Sequence, residues 1–405
     1  MHNSPQSELI VGCLDKKVKN NFYSLKRIIL CVFILPYLLF LIGCSSKTYD
    51  ENPTSARKKL KLSYATQYEV EYLEDGYKHI YIADGTDYVL VPKGKEDNTF
   101  GIADPVFIHE PTDSIYLAAS SAMDLFLNLG SLDSIKACST AANDYSIEEA
   151  RTKIESGEIE YVGKYSAPDY EAILKLGCDL AIESTMITHS PKIKEELTRL
   201  GIPVLTERSS YEKNPLGRLE WIKLYGVILG KEKEAEEFFE AEEEKVLQVT
   251  EALKEAGLGD GSEKTVAFFY ISSNGYVNVR KPGDYVSSMI EMAGGRYAYE
   301  EIADESDNAL STMNINWEEF YKNTVDADIL IYNATIDGGI RTTKELTAKN
   351  ALFADFKAVK GGNVYCSNAD MFQKAGLVAD IITDMYRVIN DKETDDLRFM
   401  YKVDD

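Results

Sequence analysis

The chain has 405 residues, 44% of them hydrophobic and 27% charged, which is length and composition enough for two ordinary domains with full cores. Sixty-seven acidic against 44 basic residues leave a formal charge of -23. A nucleic-acid polyanion needs a basic face, so this balance argues against nucleic acid as a partner.

Lys26 and Arg27 precede an apolar stretch, Ile28 to Ile42, that is interrupted by Pro36 and too short to span a bilayer comfortably. It closes on Leu41-Ile42-Gly43-Cys44, and Ser45-Ser46-Lys47 begins a polar segment immediately afterwards. The pattern resembles a bacterial lipoprotein signal. That resemblance implies cleavage before Cys44, a thioether-linked diacylglycerol on its thiol, and a chain held to the outer face of the membrane by acyl chains. Residues 1–43 are then signal and residues 44–67 a tether, polar and basic from Ser45 to about Leu62. Cys13 and Cys31 leave with the signal. Cys138, Cys178 and Cys366 remain, an odd set without paired spacing that reads as small buried apolar residues rather than a disulfide framework or a zinc motif. His79, His109 and His189 are scattered, so direct capture of a bare transition-metal ion is disfavoured.

Tyr68 to Tyr72 and His79 to Pro92 read as strands around Glu74-Asp75-Gly76, an N-terminal β-hairpin extension over residues 68–104. From Pro105 short apolar strands alternate with helical stretches, the pattern of parallel α/β architecture. Ser114 to Ala119, Asp179 to Glu183 and Pro203 to Thr206 are the strands of a first lobe placed at 105–227, which ends in an amphipathic helix from Leu216 to Gly226. A second helical pattern, about Lys231 to Ala256, puts Ala235, Phe238, Phe239, Val246 and Leu253 on a charged background and would reach roughly 40 Å. It is the connector, bounded at 228–260. Thr265 to Tyr270, Asp328 to Tyr332 and Gly362 to Cys366 are buried strands of a second lobe at 261–405, closed by a helix from Val378 to Ile389. The expected class is α/β, two similar lobes joined by one long α-helix. A weak internal repeat agrees with it: Glu171-Ala172-Ile173-Leu174 precedes Asp179-Leu180-Ala181-Ile182 as Glu318-Glu319-Phe320-Tyr321 precedes Asp328-Ile329-Leu330-Ile331.

Ser120-Ser121-Ala122-Met123 after the first strand, the run from Tyr170 to Leu180, Leu200-Gly201-Ile202-Pro203-Val204, the strut helix and Ala293-Gly294-Gly295 follow one another in a specific order over about residues 105–390. Together they resemble the solute-binding lipoproteins of ATP-driven importers that deliver ferric siderophores, haem and cobalamin. The resemblance implies two Rossmann-like lobes, a ligand cleft between them, and a single rigid helix that permits only a small closing motion. It also implies one exposed glutamate on each lobe that pairs with arginines of an ABC permease dimer. The matching positions are Glu171 and Glu318, with Glu319 a rival. The alternative for these acids is that they simply favour helix N-termini.

Ligands of open α/β sheets are held by loops at the carboxyl ends of strands. By that rule the first lobe offers Ser120, Ser121, Ser184, Thr185, Met186 and Arg208, and the second Tyr270, Ser272, Asn274, Arg280, Asn333, Thr335 and Phe372. Arg208 and Arg280 suit anionic ferric catecholates or hydroxycarboxylates, because a guanidinium donates several hydrogen bonds to their oxygens; either can equally be an ordinary salt bridge. Tyr270 can stack on a flat chelate or close a core edge. Arg218 and Trp221 resemble structural positions at the base of the strut.

No Gly-x-Ser-x-Gly elbow, phosphate loop, paired histidines on a helix or Rossmann glycine fingerprint occurs, so no catalytic residue, cofactor or resident metal is expected. The expected function is capture of an iron chelate, a ferric siderophore, by a monomeric lipid-anchored receptor that presents it to a permease dimer with its ATPase subunits. Cobalamin or another corrinoid and haem are the alternatives of the same kind; a membrane-tethered sensor or enzyme on the same scaffold is the alternative of another kind.

Overall fold

The computed structural model describes residues 57–257, 263–300, 311–369 and 371–405; the expected signal at 1–43, Cys44, the first part of the tether and residues 258–260 of the connector lie outside the described residues. Strands β1 (Tyr68–Tyr72), β2 (Lys78–Ile82) and β3 (Thr86–Val91) form an antiparallel meander, and β4 (Val106–His109) adds to β3 in parallel. The stretch His79 to Pro92, expected as one strand, is split because Gly85 takes φ +88 and turns the chain. The start of the first lobe also differs from expectation: Val106–His109 completes the N-terminal sheet. A parallel neighbour needs a long crossover, and residues 92–105 supply it. Tyr68, Val70, Ile80, Ile82, Tyr88 and Leu90 bury the inner face of this sheet in the main core. The Tyr88 hydroxyl donates to the Val204 carbonyl at 2.7 Å.

The first lobe runs β5 (Ile115–Leu117), α1 (Met123–Asn128), β6 (Ile135–Cys138), α2 (Glu148–Glu155), β7 (Glu160–Tyr161), α3 (Tyr170–Lys175), β8 (Leu180–Ser184), α4 (Pro191–Arg199) and β9 (Val204–Glu207). Its sheet is wholly parallel in the order β7-β6-β5-β8-β9. Such a sheet must be covered on both faces. Ile115, Leu117, Ile182 and Leu205 pack into the main core, whereas Tyr116, Ala137, Ala181 and Val204 pack with Ile173 of α3 and Leu197 of α4.

Helix α5 (Pro215–Leu229) follows, and here the expected amphipathic helix is corrected: every residue from Pro215 to Ile228 is buried. Its polar positions are occupied by partners instead of solvent, as described below. Gly230 at φ +67 ends α5, and α6 (Glu232–Glu255) begins two residues later, so residues 228 and 229 of the expected connector belong to α5. The two helices approach closely at Gly226, where a β-carbon would lie 2.6 Å from that of Ala235. At 24 residues α6 spans about 36 Å. Beside its first turn the Lys231 ammonium donates to the carbonyls of Leu129 and Gly130 in the first lobe, at 2.8 and 3.0 Å.

The second lobe runs β10 (Thr265–Ile271), β11 (Val277–Arg280), α7 (Tyr285–Met292), β12 (Arg296–Tyr297), β13 (Thr312–Ile315), α8 (Trp317–Thr324), β14 (Ile329–Tyr332), α9 (Thr343–Lys349), α10 (Lys357–Lys360), β15 (Val364–Ser367), α11 (Val378–Ile389) and β16 (Met400–Lys402). Strands β10, β14 and β15 are parallel, β12 lies parallel beside β10, β11 pairs antiparallel with both β10 and β13, and β16 pairs antiparallel with β15. The far end of α6 rests here: Lys245 lies 3.5 Å from Asp380 of α11, and Leu253 packs against Gly294. One face of β10 carries an aromatic cluster, with Phe269 4.7 Å from Phe320 and Phe353 4.9 Å from Phe356 between ring centroids.

The tether expected at 44–67 is corrected over its last part. Residues 58 and 60 exchange backbone hydrogen bonds with β1, Leu60 N–H to Val70 and Tyr72 N–H to Lys58. Beyond them, Glu220 of α5 accepts the backbone N–H groups of Ser63, Tyr64 and Ala65 at 2.8–3.1 Å. Glu212 accepts those of Thr66 and Gln67, and the indole N–H of Trp221 at 3.1 Å. Both carboxylates are buried, Glu220 completely, and the buried Lys223 ammonium stands 3.1 Å from Glu220 and 4.2 Å from the centroid of the Phe239 ring. A polar, basic stretch reads as linker because its partners lie some 150 positions away in sequence.

Candidate functional site

In a parallel sheet all strands end on the same edge, so the loops after β5, β8 and β9 of the first lobe and after β10 and β14 of the second are the places where a shared ligand can be held. Ser120 and Ser121 follow β5, and the Ser121 hydroxyl donates to Glu207 at 3.3 Å. Thr185 opens a short 3-10 turn after β8, capped by Ser184, whose hydroxyl accepts the Met186 N–H; the Met186 side chain is exposed. Arg208 follows β9, half-buried. Its Nε donates to the Gln67 side-chain oxygen at 3.2 Å, its guanidinium lies 4.3 Å from the centroid of the Tyr211 ring, and its terminal nitrogens have no partner among the described residues.

In the second lobe Tyr270 is half-buried near the end of β10, and Ser272 ties the following turn by donating to Asn274 and to the Tyr276 carbonyl. Asn333 follows β14 but spends its side-chain oxygen on the N–H and hydroxyl of Thr335, making it a turn-former. Arg280 is placed differently from expectation. Strand β11 runs antiparallel to β10, so its last residue lies away from the carboxyl edge of β10. Two of its guanidinium nitrogens donate to Asp284 at 2.6 and 2.7 Å, and it packs on Tyr285 and Phe372. Its charge is thus committed to a buried pair four residues away.

Beside α5 the lobes touch. The Asp124 carboxylate accepts the Gly376 N–H at 2.7 Å, in a space where a β-carbon on Gly376 would come within 2.8 Å of that carboxylate. Gln373 accepts the Ser146 N–H at 2.8 Å and donates to the Asp144 carbonyl at 2.7 Å. The guanidinium of Arg218, a buried residue of α5, sits 4.3 Å from the centroid of the Tyr285 ring in α7.

The internal repeat is geometric. Glu171 is the second residue of α3 and Glu318 the second of α8; both are exposed. Asp169 caps the first helix by accepting the Ala172 N–H at 3.0 Å, and Asn316 caps the second by accepting the Glu319 N–H at 2.9 Å. Each helix then leads into a strand, β8 or β14, that pairs in parallel with the first strand of its lobe. Glu319 is less exposed than Glu318.

Three polar residues near the first-lobe edge escape a reading by motif: Gln67, Glu207 and Glu183. Glu207 is buried and receives the Ser209 N–H at 2.7 Å. Glu183, on the opposite face of the sheet, is 0% exposed and neither of its oxygens has a partner among the described residues. Burial pushes its carboxyl up to about 8 from an ordinary 4.5. The folded chain therefore holds a proton that the unfolded chain releases near pH 4.5, and stability is lost as pH rises from there through about 8. Glu183→Gln is expected to remove this slope, gaining on the order of 3–5 kcal/mol over the wild type by pH 8. Urea midpoints at pH 5 and pH 8 check it: parallel behaviour of the two proteins contradicts a neutral buried acid.

No cluster of three histidine, cysteine or acidic side chains suited to a metal ion occurs among the described residues, and Cys138, Cys178 and Cys366 are free and buried. No helix among the described residues is long and apolar enough to cross a membrane.

Comparison with known proteins fits this architecture. A periplasmic binding protein family model matches residues 115–370. An uncharacterized lipoprotein of Methanocaldococcus jannaschii is 28% identical over 245 residues, 60% of this chain; the chain spans about half of that relative, 55% of its length. A second lipoprotein of the same organism is 24% identical over 409 residues, covering 93% of this chain and 99% of the relative. Among solved structures, a periplasmic binding protein from Veillonella parvula superposes with a TM-score of 0.57 at 14% identity, over 81% of this chain and 99% of that one. A periplasmic heme binding protein from Pseudomonas aeruginosa gives 0.56 at 14% over 72% and 98%, and a petrobactin-binding protein from Bacillus subtilis 0.54 at 16% over 83% and 98%. The structural neighbours share the two-lobed α/β fold, and the family consists of binding proteins, not enzymes. The match covers well over half of the chain, which belongs to the periplasmic binding protein family.

Proposed function

We propose that this protein is the extracytoplasmic receptor of an ABC importer, anchored through lipidated Cys44, that captures an anionic ferric siderophore and presents it to a permease dimer with its ATPase subunits. The observation that carries the ligand class is Arg208: a guanidinium at the carboxyl edge of the first-lobe sheet, stacked on Tyr211, with terminal nitrogens unpaired among the described residues. Such a group pairs with the oxygens of a catecholate or hydroxycarboxylate complex. On this reading Ser120, Ser121, Thr185 and Tyr270 are further ligand contacts and Asn333 shapes the second-lobe rim, while Arg280, paired with Asp284, is not assigned to the ligand. The chain works as a monomer on this reading, and it supplies no chemistry. Binding draws the lobes together over a stiff strut, and release follows when the permease separates them.

Deleting the gene is expected to abolish uptake of one radioiron-labelled anionic chelate, with recovery on re-expression of the full chain. Retained uptake of every ferric chelate, with loss of haem or corrinoid uptake instead, would move the ligand to that class.

A further inference from the structure

We infer that Gln67, in the segment that leads from the membrane anchor into the fold, is a positioning residue for the ligand site, holding the Arg208 guanidinium in its binding orientation. The inference rests on the ligand role proposed for Arg208. Three observations support it. Gln67 presents its side-chain oxygen to Arg208 Nε at 3.2 Å while its side-chain nitrogen donates to the Thr66 hydroxyl at 3.3 Å, so the amide is held from both ends. Its backbone is fixed as well, since its N–H and that of Thr66 bind the buried Glu212. Tyr211, which carries the guanidinium on its ring, is next to that same glutamate in the chain.

An arginine side chain has many rotamers, and a ligand must bear the cost of fixing them unless the protein has done so beforehand. Here one hydrogen bond and one ring set the plane of the guanidinium and leave its terminal nitrogens unpaired among the described residues. The segment at residues 63–67 is therefore part of the site and not only its mooring.

The test is a double-mutant cycle on the soluble chain from Ser45 onward, titrated with ferric citrate, an anionic ferric tris-catecholate and a neutral ferric tris-hydroxamate. For the anionic chelate that binds, Gln67→Ala is expected to weaken affinity about threefold to tenfold and Arg208→Ala more, with no further loss when Gln67→Ala is added to Arg208→Ala. Melting temperatures of Gln67→Ala and wild type should agree, which separates positioning from unfolding. If Arg208→Ala weakens binding and Gln67→Ala does not, or if the two losses simply add, the positioning role is wrong while the site reading stands. If Arg208→Ala binds as tightly as wild type, or no anionic chelate binds the wild type, the ligand role of Arg208 fails and the inference with it.

Discussion

Glu220→Ala is expected to lower the free energy of unfolding by about 3–5 kcal/mol. The carboxylate is fully buried and accepts three backbone N–H groups from Ser63, Tyr64 and Ala65 while standing 3.1 Å from the Lys223 ammonium. Alanine leaves those amides without an acceptor and strips a buried cation of its inner partner. Lys223 would keep the half-exposed Glu236 at 3.1 Å, a long contact of 3.5 Å to the Lys61 carbonyl and the Phe239 ring. An unsatisfied buried group costs its full desolvation, which is why loss of one partner exceeds the net worth of the pair. In urea titrations the midpoint should fall with little change in slope. Protease should then cut between residues 57 and 67 in the variant before it cuts the wild type. A midpoint equal to that of the wild type would mean that the clasp contributes nothing.

Reversing Glu171 and Glu318 together to arginine should leave chelate affinity within about twofold and reduce transport to background. The two acids occupy matched places, second in a capped helix, one per lobe, exposed, and without a salt-bridge partner among the described residues. If they served only the helix dipoles, the double change would cost about 0.3–1 kcal/mol of stability at each site and transport would persist. If they meet cationic groups on two permease subunits, two repulsions replace two attractions and the receptor cannot seat. Uptake at wild-type rates by the double variant, shown to bind chelate normally, would refute the docking role. Because Glu319 is less exposed, Glu319→Arg should transport more than Glu318→Arg.

The alternation of short apolar strands with helices, and the long charged helix with an apolar stripe, made the lobes and the strut readable, because both signals are local. The caps at Asp169 and Asn316, just ahead of the repeated segments, come from the structure. The bond between Tyr88 and Val204, the pairing of β4 with β3 and the docking of residues 63–67 on Glu220 and Glu212 were not readable, since each joins segments whose local composition suits a different role. Arg280 illustrates a site reading by topology at its limit: the tight reversal after β10 sends the next strand backwards, and Asp284, four residues on, takes the charge. Gln67 was hidden in a stretch that reads as linker, and Glu183 in a strand behind three core residues, Leu180, Ala181 and Ile182.

The most direct test of the account is a calorimetric titration of the chain from Ser45 onward against ferric catecholate, citrate and hydroxamate complexes, haem and cobalamin, each beside its metal-free form where one exists. Saturable one-to-one binding of an anionic ferric chelate, absent for the iron-free chelator and weakened by Arg208→Ala, is the predicted result. Binding of cobalamin or haem alone, or of nothing in the panel, would contradict it.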